Sequence, residues 1–176
     1  NADGTYDYDP NGAFESLGAG DEAEETFSYT ISDGNGGTST ASVTITITGV
    51  NDAPVAGDDT DTTDEDSVLN GAVLGNDTDV EGDALSVTSV TTDVDGEPTD
   101  HPVGSPIELA SGATLTVNAD GTYDYDPNGA FESLGTGDEA EETFSYTISD
   151  GNGGTSTASV TITISDAALA RHGHDG

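Results

Sequence analysis

Apolar and polar residues alternate with a period of two along much of the second half of the chain. The alternation is clearest in four stretches, at 113–117, 123–125, 144–148 and 160–164. Such alternation predicts half-buried β-strands. Asp120-Gly121 separates the first two stretches, and the Gly-rich residues 150–154 separate the last two. Both connections are turn sequences that supply positive φ, so the pattern predicts two antiparallel hairpins.

Weaker alternation adds shorter strands. The candidates lie at 54–58, 67–74, 84–91 and 105–110. Only residues 130–134 have a pattern compatible with a helical turn. About eight short strands with turn signals between them predict an all-β fold, an antiparallel β-sandwich.

The chain contains an internal repeat. Residues 1–47 match residues 118–164 at an offset of 117, and the one difference is Ala19 against Thr136. We therefore expect a tandem repeat of about 117 residues. Residues 1–50 are then the C-terminal part of a truncated repeat, residues 51–165 form a complete one, and residues 166–176 form a flexible tail.

All ten aromatic residues fall in the duplicated segments. Their alternation favours a core position over a sugar-stacking surface. The residues expected to close over them are Val68, Leu69, Val73, Leu74, Leu85, Val87, Ile107 and Leu109. Residues 51–117 could accept either copy as their aromatic partner, and covalent order favours 118–164. We therefore expect the first copy to expose four of its five aromatic residues, namely Tyr6, Tyr8, Phe27 and Tyr29.

Composition excludes several classes of function. The chain has one Arg, no Lys and 36 Asp plus Glu, giving a formal net charge of −35. A surface this acidic repels phosphate backbones and anionic headgroups, so we expect neither nucleic acid nor a membrane surface as a partner. The absence of cysteine excludes disulfides and thiolate metal sites. No stretch has the pattern of a signal peptide or membrane span, so direct membrane insertion is not expected.

Four acidic residues alternate in one Gly-containing loop, namely Asp77, Asp79, Glu81 and Asp83. Calcium takes six to eight oxygen ligands, and this spacing presents carboxylates to one point. The loop is not an EF-hand, because Thr88 occupies the position of the bidentate Glu. The alternative is that these side chains bond their own backbone in turns. That alternative is favoured for the Asp-Gly-Asn turns at 33–35 and 150–152.

Five motifs together resemble the VCBS and bacterial cadherin-like repeats of large RTX-type bacterial surface adhesins. They are Gly-Val-Asn-Asp-Ala-Pro-Val-Ala at 49–56, Asp-Glu-Asp at 64–66, the acidic stretch at 73–85, Asn-Ala-Asp-Gly-Thr-Tyr-Asp-Tyr-Asp-Pro at 118–127, and the hairpin at 144–154. The resemblance covers all but the tail. It implies an Ig-like or cadherin-like sandwich, repeated in tandem, stiffened by Ca²⁺ and exported to the surface of a Gram-negative bacterium.

The resemblance also implies positions for metal ligands. Asn51 and Asp52 match the linker motif between modules. Glu65 and Asp66 match the acidic loop after the first strand. Asp79 and Asp83 match the Asp-x-Asp-like loop, which agrees with the independent argument from spacing.

The expected role is a calcium-stiffened extracellular spacer in a large adhesin, supporting adhesion or biofilm formation. Its partners would be adjacent repeats of the same polypeptide. The alternative is a calcium-dependent module that binds carbohydrate or identical modules on other cells. An enzyme is not expected: His101 has no accompanying nucleophile motif and is interpreted as a solvated loop residue, and His172 and His174 lie in a short terminal segment.

Overall fold

The computed structural model describes residues 1, 3–94 and 96–167, and their regular structure is β-strand. The chain divides into two compact units. The first comprises Asn1–Asp52 with Val80–Gly82, and the second comprises Ala53–Asp79 with the chain from Asp83 onward. Of the predicted tail, residues 168–176 lie outside the described residues. In the described residues, no helix is long and apolar enough to cross a bilayer.

The first unit contains a single hairpin of two long strands, β1 (Glu22–Ser32) and β2 (Thr38–Thr48). They pair antiparallel in full register, with Phe27 opposite Val43. Asp33 closes the turn, because its Oδ1 accepts hydrogen bonds from the backbone N–H groups of Asn35 (2.7 Å) and Gly37 (2.9 Å). Within the described residues, the sheet of this unit has these two strands only.

The second unit has nine strands in two sheets. In chain order they are β3 (Asp59–Asp64), β4 (Leu69–Ala72), β5 (Ser86–Val94), β6 (Glu97–Pro102), β7 (Ile107–Glu108), β8 (Thr114–Val117), β9 (Thr122–Asp126), β10 (Glu139–Ser149) and β11 (Thr155–Ser165). One sheet has the order β3-β11-β10-β5-β6 and the other β4-β9-β8-β7. Both predicted hairpins are confirmed, as β8–β9 and β10–β11.

The two sheets of the second unit enclose one hydrophobic core. Tyr146 and Ile148 from one sheet, and Leu115 and Tyr125 from the other, are fully buried. The rings of Tyr123 and Phe144 meet edge to face with centroids 5.6 Å apart, a favourable aromatic geometry. The prediction of an all-β sandwich with a core of duplicated aromatics is confirmed for this unit.

The first strand of the sandwich lies later than the sequence predicts. Residues 54–58 contribute only an isolated bridge between Val55 and Thr78, and the strand is β3. Pro54 lacks the N–H that a paired strand uses. β3 has the sequence Asp-Thr-Asp-Thr-Thr-Asp, so it has no apolar alternation to reveal it. It pairs parallel to β11, whereas every other strand pair described is antiparallel.

The structure differs from what the sequence indicates at three further places. β6 was missed because it contains Pro98 and Pro102, which are tolerated because β6 is an edge strand. Val68 is 54% exposed, because its neighbour Leu69 is the one packed against the core. Residues 130–134 form no helix, only hydrogen-bonded turns such as that from Leu134 N–H to the Phe131 carbonyl (2.9 Å).

Candidate metal centre

Two of the predicted ligands lie together in the loop between β4 and β5. The Asp79 carboxylate accepts a hydrogen bond from the backbone N–H of Asp83 (3.0 Å). The Asp83 carboxylate in turn accepts one from the side-chain amide of Asn152 (2.7 Å). We call Asp79, Asp83 and Asn152 the Asp83 group. It joins the acidic loop to the turn between β10 and β11.

Asp150 positions Asn152 in this group. The Asp150 side chain is buried, and its Oδ1 accepts hydrogen bonds from the backbone N–H groups of Asn152 (2.7 Å) and Gly154 (3.0 Å). This is the turn chemistry that the sequence favoured for residues 150–152. The contact from Asn152 to Asp83 was not predicted, because 69 residues separate the two positions.

Asp77 directs its carboxylate toward a different part of the sandwich. Its Oδ1 accepts a hydrogen bond from the backbone N–H of Gly57 (2.8 Å) and lies 3.2 Å from the Tyr146 hydroxyl. That hydroxyl also lies 3.0 Å from an Asp59 carboxylate oxygen. Burial raises the pKa of Tyr146 far above its usual value, and burial also raises the pKa of Asp59. Asp77 therefore takes part in a buried hydrogen-bond network around Tyr146.

Three predicted ligands belong to the first compact unit. Glu81 accepts a hydrogen bond at Oε1 from the backbone N–H of Asp52 (2.9 Å). The Asn51 side-chain amide donates to the Asp52 carbonyl (2.8 Å). Asn51, Asp52 and Glu81 are thus joined by hydrogen bonds, a contact between the predicted linker residues and the acidic loop.

The remaining two predicted ligands follow β3. Glu65 is only 9% exposed, and its backbone N–H donates to the Ser165 carbonyl (2.9 Å). Its Oε2 atom is buried and has no hydrogen-bond partner. Burial raises the pKa of Glu65, and a hydrogen bond from the Ala167 backbone lowers it. The charges of Asp166, Glu132 and Asp66 also raise this pKa.

We call Glu65, Asp66, Glu132 and Asp166 the Glu65 group. The sequence did not indicate Glu132 and Asp166, because they are 67 and 101 positions from Glu65 and no local spacing connects them with it. The Asp83 group and the Glu65 group lie at opposite ends of the sandwich. Asn152 precedes β11 and Ser165 ends it, and a strand of 11 residues spans roughly 35 Å.

The oxygen atoms of the Asp83 group and the Glu65 group are suitable ligands for a hard cation. All are oxygens, from carboxylates or amides, which is the set that Ca²⁺ prefers. The buried Oε2 of Glu65 is a polar atom that a cation would satisfy. In the described part of the chain, however, no three His, Asp or Glu side chains are arranged closely enough to hold a metal ion.

His101 lies in a β-strand and contacts the neighbouring strand. It lies half-buried in β6, and its Nε2 is 2.9 Å from the Thr92 hydroxyl on the paired strand β5. The interpretation of His101 as a solvated loop residue was wrong, because the strand that holds it contains two prolines and was not predicted.

Comparison with known families identifies the fold. The model of the bacterial cadherin-like domain matches residues 1–49 and 51–166, which is nearly the whole chain. The chain belongs to the bacterial cadherin-like domain family. The strand arrangement of the second unit is the β-sandwich that this family assignment implies.

Two known proteins resemble this bacterial cadherin-like chain. Over 173 residues it is 32% identical to the calcium-binding lectin RapA2 of Rhizobium johnstonii, an alignment that covers 92% of this chain and 68% of the lectin. Among solved structures it resembles part of a nucleoside hydrolase-related hypothetical protein from Saccharophagus degradans, which is associated with carbohydrate metabolism. That match has 14% identity and a TM-score of 0.39, and it covers 66% of this chain and 26% of the other.

Proposed function

We propose that the protein is a calcium-binding, non-catalytic module of an extracellular bacterial adhesin. The observation that carries the proposal is the buried Glu65 carboxylate, whose Oε2 has no hydrogen-bond partner. The charges of three other acidic residues act on the same carboxylate. The relative named as a calcium-binding lectin supports the choice of metal.

A bound cation explains the Glu65 group better than acidic side chains without a nearby positive charge. A buried carboxylate oxygen without a hydrogen-bond partner is costly, and like charges nearby increase the cost of the ionised form. The one Arg of the chain lies outside the described residues, and the chain has no Lys, so the described residues offer no basic side chain except His101. A divalent cation would supply the missing positive charge, and oxygen donors favour calcium.

The position of the acidic groups supports a spacer role. The Asp83 group and the Glu65 group lie at the two ends of a sandwich roughly 35 Å long. Ions bound at the ends would restrict bending where consecutive modules join, so a series of modules would form a stiff stalk. Near-identity between residues 1–47 and 118–164 also suits a spacer, because repeated units then serve the same mechanical purpose.

Isothermal titration calorimetry of the whole chain with CaCl₂ tests the proposal. We expect saturable binding that Glu65→Gln weakens at least tenfold at one class of site. Asp79→Asn with Asp83→Asn should weaken a separate class. Glu108→Gln is the matched control, because Glu108 is exposed on β7 and loses the same charge. Absence of saturable heat with the unaltered protein would contradict calcium binding, and equal effects of the Glu65 and Glu108 changes would contradict the assigned site.

A second candidate function is calcium-dependent carbohydrate binding, which the description of the relative as a lectin favours. In the second unit the aromatic rings of Tyr123, Tyr125, Phe144 and Tyr146 are buried, so they are not available for stacking on a sugar. Glycan pull-down with and without a chelator distinguishes the candidates. Retention of glycan in calcium but not in chelator would favour the lectin role, and no retention in either would favour the spacer.

A further inference from the structure

The strands that begin and end the second unit lie side by side. β3 pairs with β11 along its whole length, from Asp59 opposite Val160 to Asp64 opposite Ser165. The two strands run parallel, whereas the other strand pairs described are antiparallel. Because both strands point the same way, the chain enters the sandwich at one end of this pair and leaves it at the other end.

Two hydrogen bonds extend this pairing beyond the strand ladder. Before β3, the Asp58 carboxylate accepts a hydrogen bond from the backbone N–H of Ser159 (2.9 Å). After β3, the backbone N–H of Glu65 donates to the Ser165 carbonyl (2.9 Å). We call β3, β11 and these two hydrogen bonds the terminal seam.

Polar contacts hold β3 against the rest of the sandwich. β3 contains only Asp and Thr, so it has no apolar residue to bury. The Tyr123 hydroxyl donates to the Asp61 carboxylate (2.6 Å), and the Tyr146 hydroxyl lies 3.0 Å from an Asp59 carboxylate oxygen. Tyr123 belongs to β9 in the other sheet and Tyr146 to β10, so β3 is tied to both sheets. Hydrogen bonds depend steeply on geometry, so a small displacement of β3 would break these contacts.

Tension along the polypeptide would load the terminal seam in shear. In a stalk of modules, one neighbour pulls on the chain before β3 and the other pulls on the chain after β11. The two forces act along the strands in opposite directions, so β3 is drawn past β11 and the hydrogen bonds of the seam resist together. An antiparallel hairpin pulled apart at its two free ends would instead lose its residue pairs one at a time.

The seam is also the first strand ladder of the sandwich that tension reaches from either side. Forced unfolding is governed by the height of the unfolding barrier and not by the equilibrium free energy. The direction in which the seam is pulled therefore decides how large a force the sandwich withstands.

We propose that the terminal seam is the force-bearing clamp of the module, with Tyr123 and Tyr146 as its anchors, and that it sets the tension at which the sandwich opens. The inference rests on the proposed function, because a spacer in a stalk is the setting in which the module carries tension. The clamp itself consists of protein contacts and requires no metal.

Single-molecule force spectroscopy of the whole chain in two pulling directions tests the proposal. The chain has no cysteine, so a pair of introduced cysteines defines the two points of attachment. Ala53→Cys with Ala168→Cys pulls the seam in shear. Ser67→Cys with Ala168→Cys pulls the adjacent ends of β3 and β11 apart, and both Ala53 and Ser67 are exposed. We expect the rupture force in shear to be larger by about twofold or more. The same rupture force in both directions would overturn the proposal.

Two tyrosine variants test the anchors in the shear direction. Tyr123→Phe removes the hydroxyl that holds Asp61 and should lower the rupture force. Tyr125→Phe is the matched control, because the Tyr125 hydroxyl donates to Glu142 (2.7 Å), which lies on β10 and not on β3. We expect the control to leave the rupture force unchanged. An equal loss of rupture force in the two variants would overturn the assignment of the anchors.

Calcium titration of the same proteins separates this inference from the proposed function. Both pulling directions are measured in one buffer, so their comparison does not depend on whether calcium binds. Direction-dependent rupture without calcium binding would support the clamp and contradict the metal. Calcium binding with the same rupture force in both directions would overturn the clamp alone.

Discussion

The duplicated strands allow one substitution to be compared in two environments within the same molecule. Ile148→Ala removes a fully buried side chain from β10, and Ile31→Ala removes its 60% exposed counterpart from β1. A buried Ile to Ala change costs about 2–5 kcal/mol of unfolding free energy through lost transfer energy and a cavity. An exposed change costs within about 0.5 kcal/mol. The flanking sequence is the same at both positions, so the difference reports what surrounds each side chain in the fold.

Urea unfolding followed by tyrosine fluorescence measures this difference. With a slope of about 2 kcal/mol per molar urea, Ile148→Ala should lower the midpoint of the sandwich transition by about 1–2.5 M. Ile31→Ala should leave that midpoint unchanged within error. An equally large shift of any cooperative transition by Ile31→Ala would refute the reasoning, because it would mean that the face of β1 is covered in solution.

Two further predictions concern the tyrosines of the second unit. Burial and the hydrogen bond to Glu142 raise the pKa of Tyr125 far above 10. Above about pH 10 the unfolded chain therefore loses the phenolic proton before the folded protein does. The free energy of unfolding then falls by about 1.4 kcal/mol per pH unit. Tyr125→Phe should flatten the alkaline slope by that amount in denaturant titrations, and an unchanged slope would contradict the assignment. A Cβ on Gly71 would collide with the Tyr123 ring, so Gly71→Ala should lower the free energy of unfolding by about 1–3 kcal/mol. Gly75 has open space around it, so Gly75→Ala should change the free energy of unfolding little in the same assay. Equal costs would contradict the packing described.

The sandwich core could be predicted because apolar and polar residues alternate along its strands. Ile162 and Tyr146 occupy apolar positions of strict period two, and both are fully buried. The edge strands could not be predicted in this way. β3 is all Asp and Thr and β6 contains two prolines, and both are placed by pairing with a neighbouring strand, a non-local cause that a local pattern does not record.

The candidate site was predictable only in part. The spacing of acidic residues identified Asp79 and Asp83, which share a hydrogen bond, but it also included Asp77, whose carboxylate turns toward Tyr146. Side-chain direction within an irregular loop depends on contacts with distant strands. For the same reason, the approach of Asn152 to Asp83 and of Asp166 to Glu65 had no signal in the local sequence.

Thermal unfolding in calcium and in excess chelator tests whether calcium stabilises the native sandwich. A ligand at a hundredfold excess over its dissociation constant adds about 2.7 kcal/mol per site, which for a unit of this size raises the Tm by about 10 °C. We expect chelator to lower the Tm by at least this amount, NaCl not to restore it, and Glu65→Gln to lose part of the response. An identical melting curve in calcium and in chelator would show that calcium does not stabilise the sandwich.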